Sequence, residues 1–194
     1  MTGLAGPLAG DKPNVLFLMA DDLRPELGCY GAGHVISPNI DRLAKRGRMF
    51  EHAYCQQALC NPSRASMLTG LRPDSLGIWN LPTHLRQRRP GIVTLPQHFR
   101  NNGYFTECVG KIFHNWRQDI HGDPQSWSVP QFMHYARHDD DKPRVEGKPP
   151  GNEIKLPRST IRDVPDEAYF DGRIATRAIE SLRGLKKNRK PFFL

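Results

Sequence analysis

The chain alternates short apolar runs with stretches of helical period. Residues 14–20 (Asn-Val-Leu-Phe-Leu-Met-Ala) are apolar almost throughout, the pattern of a parallel strand buried on both faces. Ser37-Pro38 supplies a cap and a first-turn proline. Ile40, Leu43 and Ala44 then share one helical face, and Gly47 closes the segment. A short strand is expected at 48–53. Pro62 suits the first turn of a second helix, where its missing N–H would have been unpaired anyway, and Gly70 is a natural stop. Thr94 predicts a further cap, with Leu95 and Phe99 on one side of the helix and Gly103 at its end. Residues 104–109 read as a strand. Asp166 opens a last helix whose Tyr169, Ile174, Ala178 and Leu182 can face a core, and 190–194 begins another apolar strand. Such alternation predicts an α/β fold with a mostly parallel central sheet flanked by helices.

Two stretches break this rhythm. Residues 1–12, rich in Gly, Ala and Pro, read as a flexible tail without the basic start and apolar stretch of a signal peptide; localisation stays undetermined. Residues 115–165, rich in Pro, Asp, Lys and Gly, read as mostly loop, a rim around a site. The remainder, 13–194, is expected to form one domain. Because the chain stops inside the apolar run Phe192-Phe193-Leu194, it is expected to be part of a longer protein.

Composition narrows the function classes. No apolar run is long enough to cross a membrane. The net charge of +8 would suit nucleic acid, a membrane surface or an acidic substrate. The cations are scattered apart from 86–89 and 183–190, and no nucleic-acid-binding motif accompanies them, so a solvated basic surface is the reading. Cys29, Cys55, Cys60 and Cys108 show no metal or redox spacing and are too few for a disulfide framework.

Three constellations carry chemistry. Cys60 to Gly70 reads C-N-P-S-R-A-S-M-L-T-G. A lone cysteine is more often a buried thiol, but a proline and an arginine at set offsets, with Cys60 at a helix N-terminus that favours anions, point to a site. Asp21 and Asp22 follow the first strand at its carboxyl end, where ligands bind in open α/β sheets. Two carboxylates about 4 Å apart repel by roughly 4 kcal/mol at an effective dielectric near 20, and a divalent cation reverses that penalty. Alone, the pair would read as an exposed acidic turn. Lys111 and His114, in Gly110-Lys-Ile-Phe-His114, follow the strand at 104–109; a lysine suits an oxyanion and a histidine moves protons near neutral pH. The other histidines lack metal spacing, and Trp116, Trp127 and Tyr135 could line a sugar site or simply pack.

Cys60–Gly70 matches C-x-P-S-R-x-x-x-L-T-G, which resembles the sulfatase signature. The run D-D-L-R-P-E-L-G-C-Y-G from Asp21, with S-P-N-I-D-R-L-A, T-L-P-Q-x-F-x-x-N-G-Y and a two-residue gap between Lys111 and His114, resembles the iduronate-2-sulfatase branch of that family. The resemblance implies an alkaline phosphatase-like fold of which 13–194 is the N-terminal part. It implies that Cys60 is oxidised by a maturation enzyme to formylglycine (3-oxoalanine), and that Asp21, Asp22 and residue 60 ligate a divalent metal, Ca²⁺ or Mg²⁺. One hydroxyl of the hydrated aldehyde attacks sulfur and displaces the alcohol; the other then collapses to the aldehyde and expels sulfate. Arg64 would hold the oxygens of residue 60, Lys111 would grip sulfate, and His114 would bond the nucleophile or move its proton. The implied partner is a sulfated carbohydrate or small sulfate ester. Further metal ligands would lie beyond residue 194, so little turnover is expected of these 194 residues alone. A phosphate or phosphonate ester hydrolase and a non-catalytic binding module remain open as alternatives.

Overall fold

The computed structural model describes residues 12–115, 118–134, 164–188 and 190–194. Its sheet is parallel. β1 (Phe105–Thr106) pairs with β2 (Phe192–Phe193) in the register Phe105 to Phe192 and Thr106 to Phe193. On the other edge of β2, Val15 bridges to Phe193, its N–H donates to Phe192 O at 2.8 Å, and Phe17 N–H donates to Leu194 O at 2.7 Å. The last residues of the chain therefore run between the first apolar segment and β1. This central place explains why 192–194 is apolar throughout.

Phe193, 2% exposed, is the hub of the core. Its ring lies 4.8 Å from Phe99, 6.0 Å from Phe17 and 6.5 Å from Trp127, centroid to centroid. Trp127 is thus a packing residue; Trp116 and Tyr135 lie outside the described residues. Five helices follow one another on the way to β1. They are α1 (Pro38–Arg46), α2 (Cys60–Thr69), two single turns, α3 (Pro73–Leu76) and α4 (Leu85–Arg88), and α5 (Leu95–Asn101). α6 (Phe170–Asn188) leads back to β2. Thr94 caps α5 as predicted, in a reciprocal capping box with Gln97.

Three expectations change. The first apolar segment is not covered on both sides: Val15, Phe17 and Met19 pack on the core, while Leu16 and Leu18 are 47% and 72% exposed. The core aromatics cover one face only. On the other face α6 crosses at Gly110, leaving a groove over Leu16 and Leu18. Residues 48–53 form no strand, because none of the described residues pairs with their backbone, and Phe50 stays 72% exposed. Arg86 does not belong to the basic surface. It is 8% exposed and grips Asp123 with two bonds, Nε to Oδ1 at 2.9 Å and Nη2 to Oδ2 at 2.8 Å. The expected tail and most of the expected loop at 115–165 fall outside the described residues; 118–134 is irregular apart from a 3-10 turn at Pro124–Ser126 and a parallel bridge from Phe132 to Val109.

Candidate active site

The first segment ends at Asp21 because the backbone turns left-handed at Asp22 (φ 52°), a conformation that Asp tolerates better than most residues. α2 points its N-terminus at this turn. Leu59 offers no side chain to cap it, so the first N–H groups of α2 are open to an anion. Gly70, at φ 71°, ends the helix, and its N–H donates to Ser66 O at 2.8 Å. Asn61 pins the other end: its amide donates to Asn80 O at 2.8 Å and Thr83 O at 2.7 Å.

Together these elements bring a carboxylate oxygen of Asp21, one of Asp22 and the half-buried Sγ of Cys60 within 4.8 Å of one another. Two carboxylates suit a hard divalent cation, and an oxygen in place of Sγ would make the set all-oxygen, so these residues fit such an ion.

Two cations close the cluster. Arg64 lies one turn along α2 from Cys60 and is 4% exposed. It donates to Asp21 Oδ1 at 2.9 Å, to the carbonyls of Lys111 and Ile112 at 2.7 and 2.9 Å, and contacts Met19 Sδ at 2.6 Å. Its described bonds therefore tie strand end, helix and the 110–112 turn together. Lys111 donates to the other oxygen of Asp21. Burial alone would raise the Asp21 carboxyl, but the bonds and charges of Lys111 and Arg64 outweigh it and hold it down at about 2. The Lys111 turn depends on Gly110, which sits at φ 84° and whose Cα faces Ile174 of α6; an added Cβ would approach that side chain to 3.0 Å.

Asp21, Asp22, Cys60, Arg64 and Lys111 thus meet; Arg64, expected to hold the oxygens of residue 60, is bonded instead to Asp21 and the carbonyls of Lys111 and Ile112. His114, 5% exposed, is buried just past the core residue Phe113. Burial pushes the Cys108 thiol up to about 12, which leaves it inert. A groove of about 700 Å³ leads from Asp21, Asp22, Arg64 and Lys111 along Leu16 and Leu18 beneath α6.

Sequence reasoning missed what supports the site. Gly28 N–H donates to Ser37 Oγ at 2.9 Å, and Cys29 N–H to Asp41 Oδ1 at 2.7 Å, so the turn after Asp22 is strapped to α1. The runs G-C-Y and S-P-N-I-D are two halves of one contact. His84 is 1% exposed and caps α4. Its Nδ1 accepts from Arg86 N–H and its Nε2 lies 2.7 Å from Gly122 O, so the proton resides on Nε2.

A parallel sheet with paired carboxylates at a strand end, facing a cysteine on a helix N-terminus, defines an alkaline phosphatase-like α/β fold. The sulfatase family profile matches residues 13–194, and the chain belongs to that family. It is 40% identical to human iduronate 2-sulfatase over 189 residues, which cover 95% of this chain and 34% of that protein. The chain therefore spans about a third of the length of this relative. Among solved structures it is similar to a protein in complex with D-glucosamine-2-N,6-O-disulfate, at 26% identity and a TM-score of 0.64 over 94% of this chain and 33% of that one. It also superposes on the phosphonate monoester hydrolase of Agrobacterium radiobacter, with a TM-score of 0.67 over 94% of this chain and 40% of that one; at 22% identity that likeness shows the fold alone. No helix among the described residues is long and apolar enough to cross a membrane.

Proposed function

We propose that this chain carries the nucleophile half of a sulfuric ester hydrolase acting on a sulfated sugar, with uronate 2-sulfate esters as the nearest analogy. The observation that carries the reading is the convergence of Asp21, Asp22 and Cys60 Sγ within 4.8 Å at the N-terminus of α2. Asp21 and Asp22 would hold a divalent cation, Ca²⁺ before Mg²⁺ because the larger ion accepts carboxylate oxygens in a less strict geometry. Bound there, it supplies the positive charge that lowers the pKa of a hydroxyl on residue 60. Cys60 is the residue converted to formylglycine by a maturation enzyme, which gives position 60 the two hydroxyls that a thiol lacks.

The residues of the chain do the rest. The open N–H groups of α2 and the Lys111 ammonium receive the sulfate oxygens as charge builds on them. Arg64 acts through Asp21, keeping that carboxylate ionised and in place. His114, buried beside Phe113, takes or returns the proton of residue 60.

The test uses the protein expressed from its full reading frame together with a formylglycine-generating enzyme. The tryptic peptide 49–64 should show the mass change from CH₂SH to CHO, and the protein should cleave sulfate esters in preference to matched phosphate esters. Cys60→Ser should turn over once and stall, since a sulfated serine has no second hydroxyl. Cys60→Ala should be inactive; near-parental activity in that variant would refute the proposal.

A further inference from the structure

The Asp21 carboxylate belongs to two arrangements at once. Its oxygens are held by Arg64 Nη2, at 2.9 Å, and by Lys111 Nζ. It also lies with Asp22 and Cys60 Sγ in one group of ligand atoms within 4.8 Å. A divalent ion taking Asp21 would have to sit beside two cations already there.

The two cations are not equally fixed. Arg64 has a side-chain exposure of 5%, and its second guanidinium nitrogen is committed to the carbonyls of Lys111 and Ile112. It cannot leave Asp21 without unpairing those buried acceptors. Lys111 is held to the cluster by a single described bond, to Asp21, and its side chain borders the groove that runs toward Leu18. A lysine stem has four rotatable bonds and a point charge with no preferred plane, so it can change partner at little cost.

We propose that Lys111 is a cation-responsive latch. Its ammonium neutralises Asp21 while no divalent ion is bound, and is displaced toward the mouth of the groove when an ion takes that oxygen. Only then is it free to hold a substrate anion. The physical cause is charge balance. Arg64 and Lys111 together offset Asp21 and Asp22 while no divalent ion is bound; an entering ion makes the cluster cationic, so the ammonium, the one of the two cations that can move, is repelled and drawn to an anion instead. Cation and anion binding are thereby coupled, each strengthening the other. The inference rests on the reading of Asp21 and Asp22 as metal ligands.

Calcium titration calorimetry on the whole protein, with and without inorganic sulfate, tests it. The neutral variants Lys111→Met and Lys111→Gln should bind Ca²⁺ about tenfold more tightly than the parent, from the loss of a unit charge a few ångströms away in a largely aqueous setting. Lys111→Arg, which keeps the charge, should stay near parental affinity. Sulfate should tighten Ca²⁺ binding in the parent and leave it unchanged in the neutral variants. Asp22→Ala separates the failures. If Ca²⁺ binding is lost in Asp22→Ala but neutral substitution of Lys111 leaves affinity equal or weaker, the latch is overturned and the metal site stands. If Ca²⁺ binding is absent, or indifferent to Asp22→Ala, both fall.

Discussion

Removing the Arg64 side chain should cost stability as well as any chemistry, and the structure says where the cost arises. Arg64→Ala leaves the Lys111 and Ile112 carbonyls, which accept at 2.7 and 2.9 Å, facing a small void. Each buried acceptor left unpaired costs about 1–3 kcal/mol. The Asp21 ion pair adds little, because the Asp21 side chain is 35% exposed and keeps Lys111 as a partner; after solvent screening that share is at most about 1 kcal/mol. The sum is about 2–7 kcal/mol, with about 2–4 °C in melting temperature lost for each kcal/mol in a chain of this size. Denaturant titration followed by far-UV circular dichroism measures it. The apportioning is tested by a double-mutant cycle with Asp21→Asn, whose coupling to Arg64→Ala should be no more than about 1 kcal/mol. A stability loss below about 0.5 kcal/mol would refute the reasoning outright. A coupling term carrying most of the loss would show that the ion pair, rather than the carbonyl bonds, is what Arg64 provides.

Two further outcomes follow from groups outside the reaction. Arg86→Ala should destabilise by about 3–5 kcal/mol, because it strands Asp123, whose side chain is 1% exposed, as an unpaired buried charge; the same denaturant titration reads it, and a loss under 1 kcal/mol would mean that water replaces the guanidinium. Stability should also fall on acidification in two windows. Burial lowers His84 from its ordinary 6.5, so the unfolded chain binds the extra proton first and stability declines as pH drops below about 6.5. Asp21, held at about 2 against 3.8 unfolded, contributes stability that is present above about 4 and is lost as pH falls toward 2. Melting curves from pH 8 to 2 should show a smaller upper step in His84→Gln, with His134, also lowered by burial, carrying the remainder, and should lose the lower step in Asp21→Asn.

The parts of this protein legible in the sequence were those where local chemistry decides. Pro62 and Gly70 delimit α2, and Thr94 with Gln97 caps α5, because a missing N–H, a left-handed φ and a side-chain acceptor act within a few residues. The terminal Phe192-Phe193-Leu194 announced a strand for the same reason; the apolar run 14–20 supplies only a bridge to it at Val15 and a backbone bond from Phe17. The candidate nucleophile and the paired aspartates were readable too, since their order along the chain is what the fold turns into proximity. What only the tertiary structure decided was which groups meet across long separations. That Arg64 is spent on Asp21 and the 110–112 carbonyls, that Arg86 is buried against Asp123 rather than solvated, and that Gly28 and Ser37 form one strap depends on contacts nine to 48 residues apart in sequence. Residues 48–53 were expected to pair as a strand but have no described neighbour to pair with, and Leu16 and Leu18 have the composition of a buried face but only a groove between them and α6. A strand and its cover are properties of a pair of segments, so one segment's pattern states what it can bury and leaves to the fold whether anything comes to bury it.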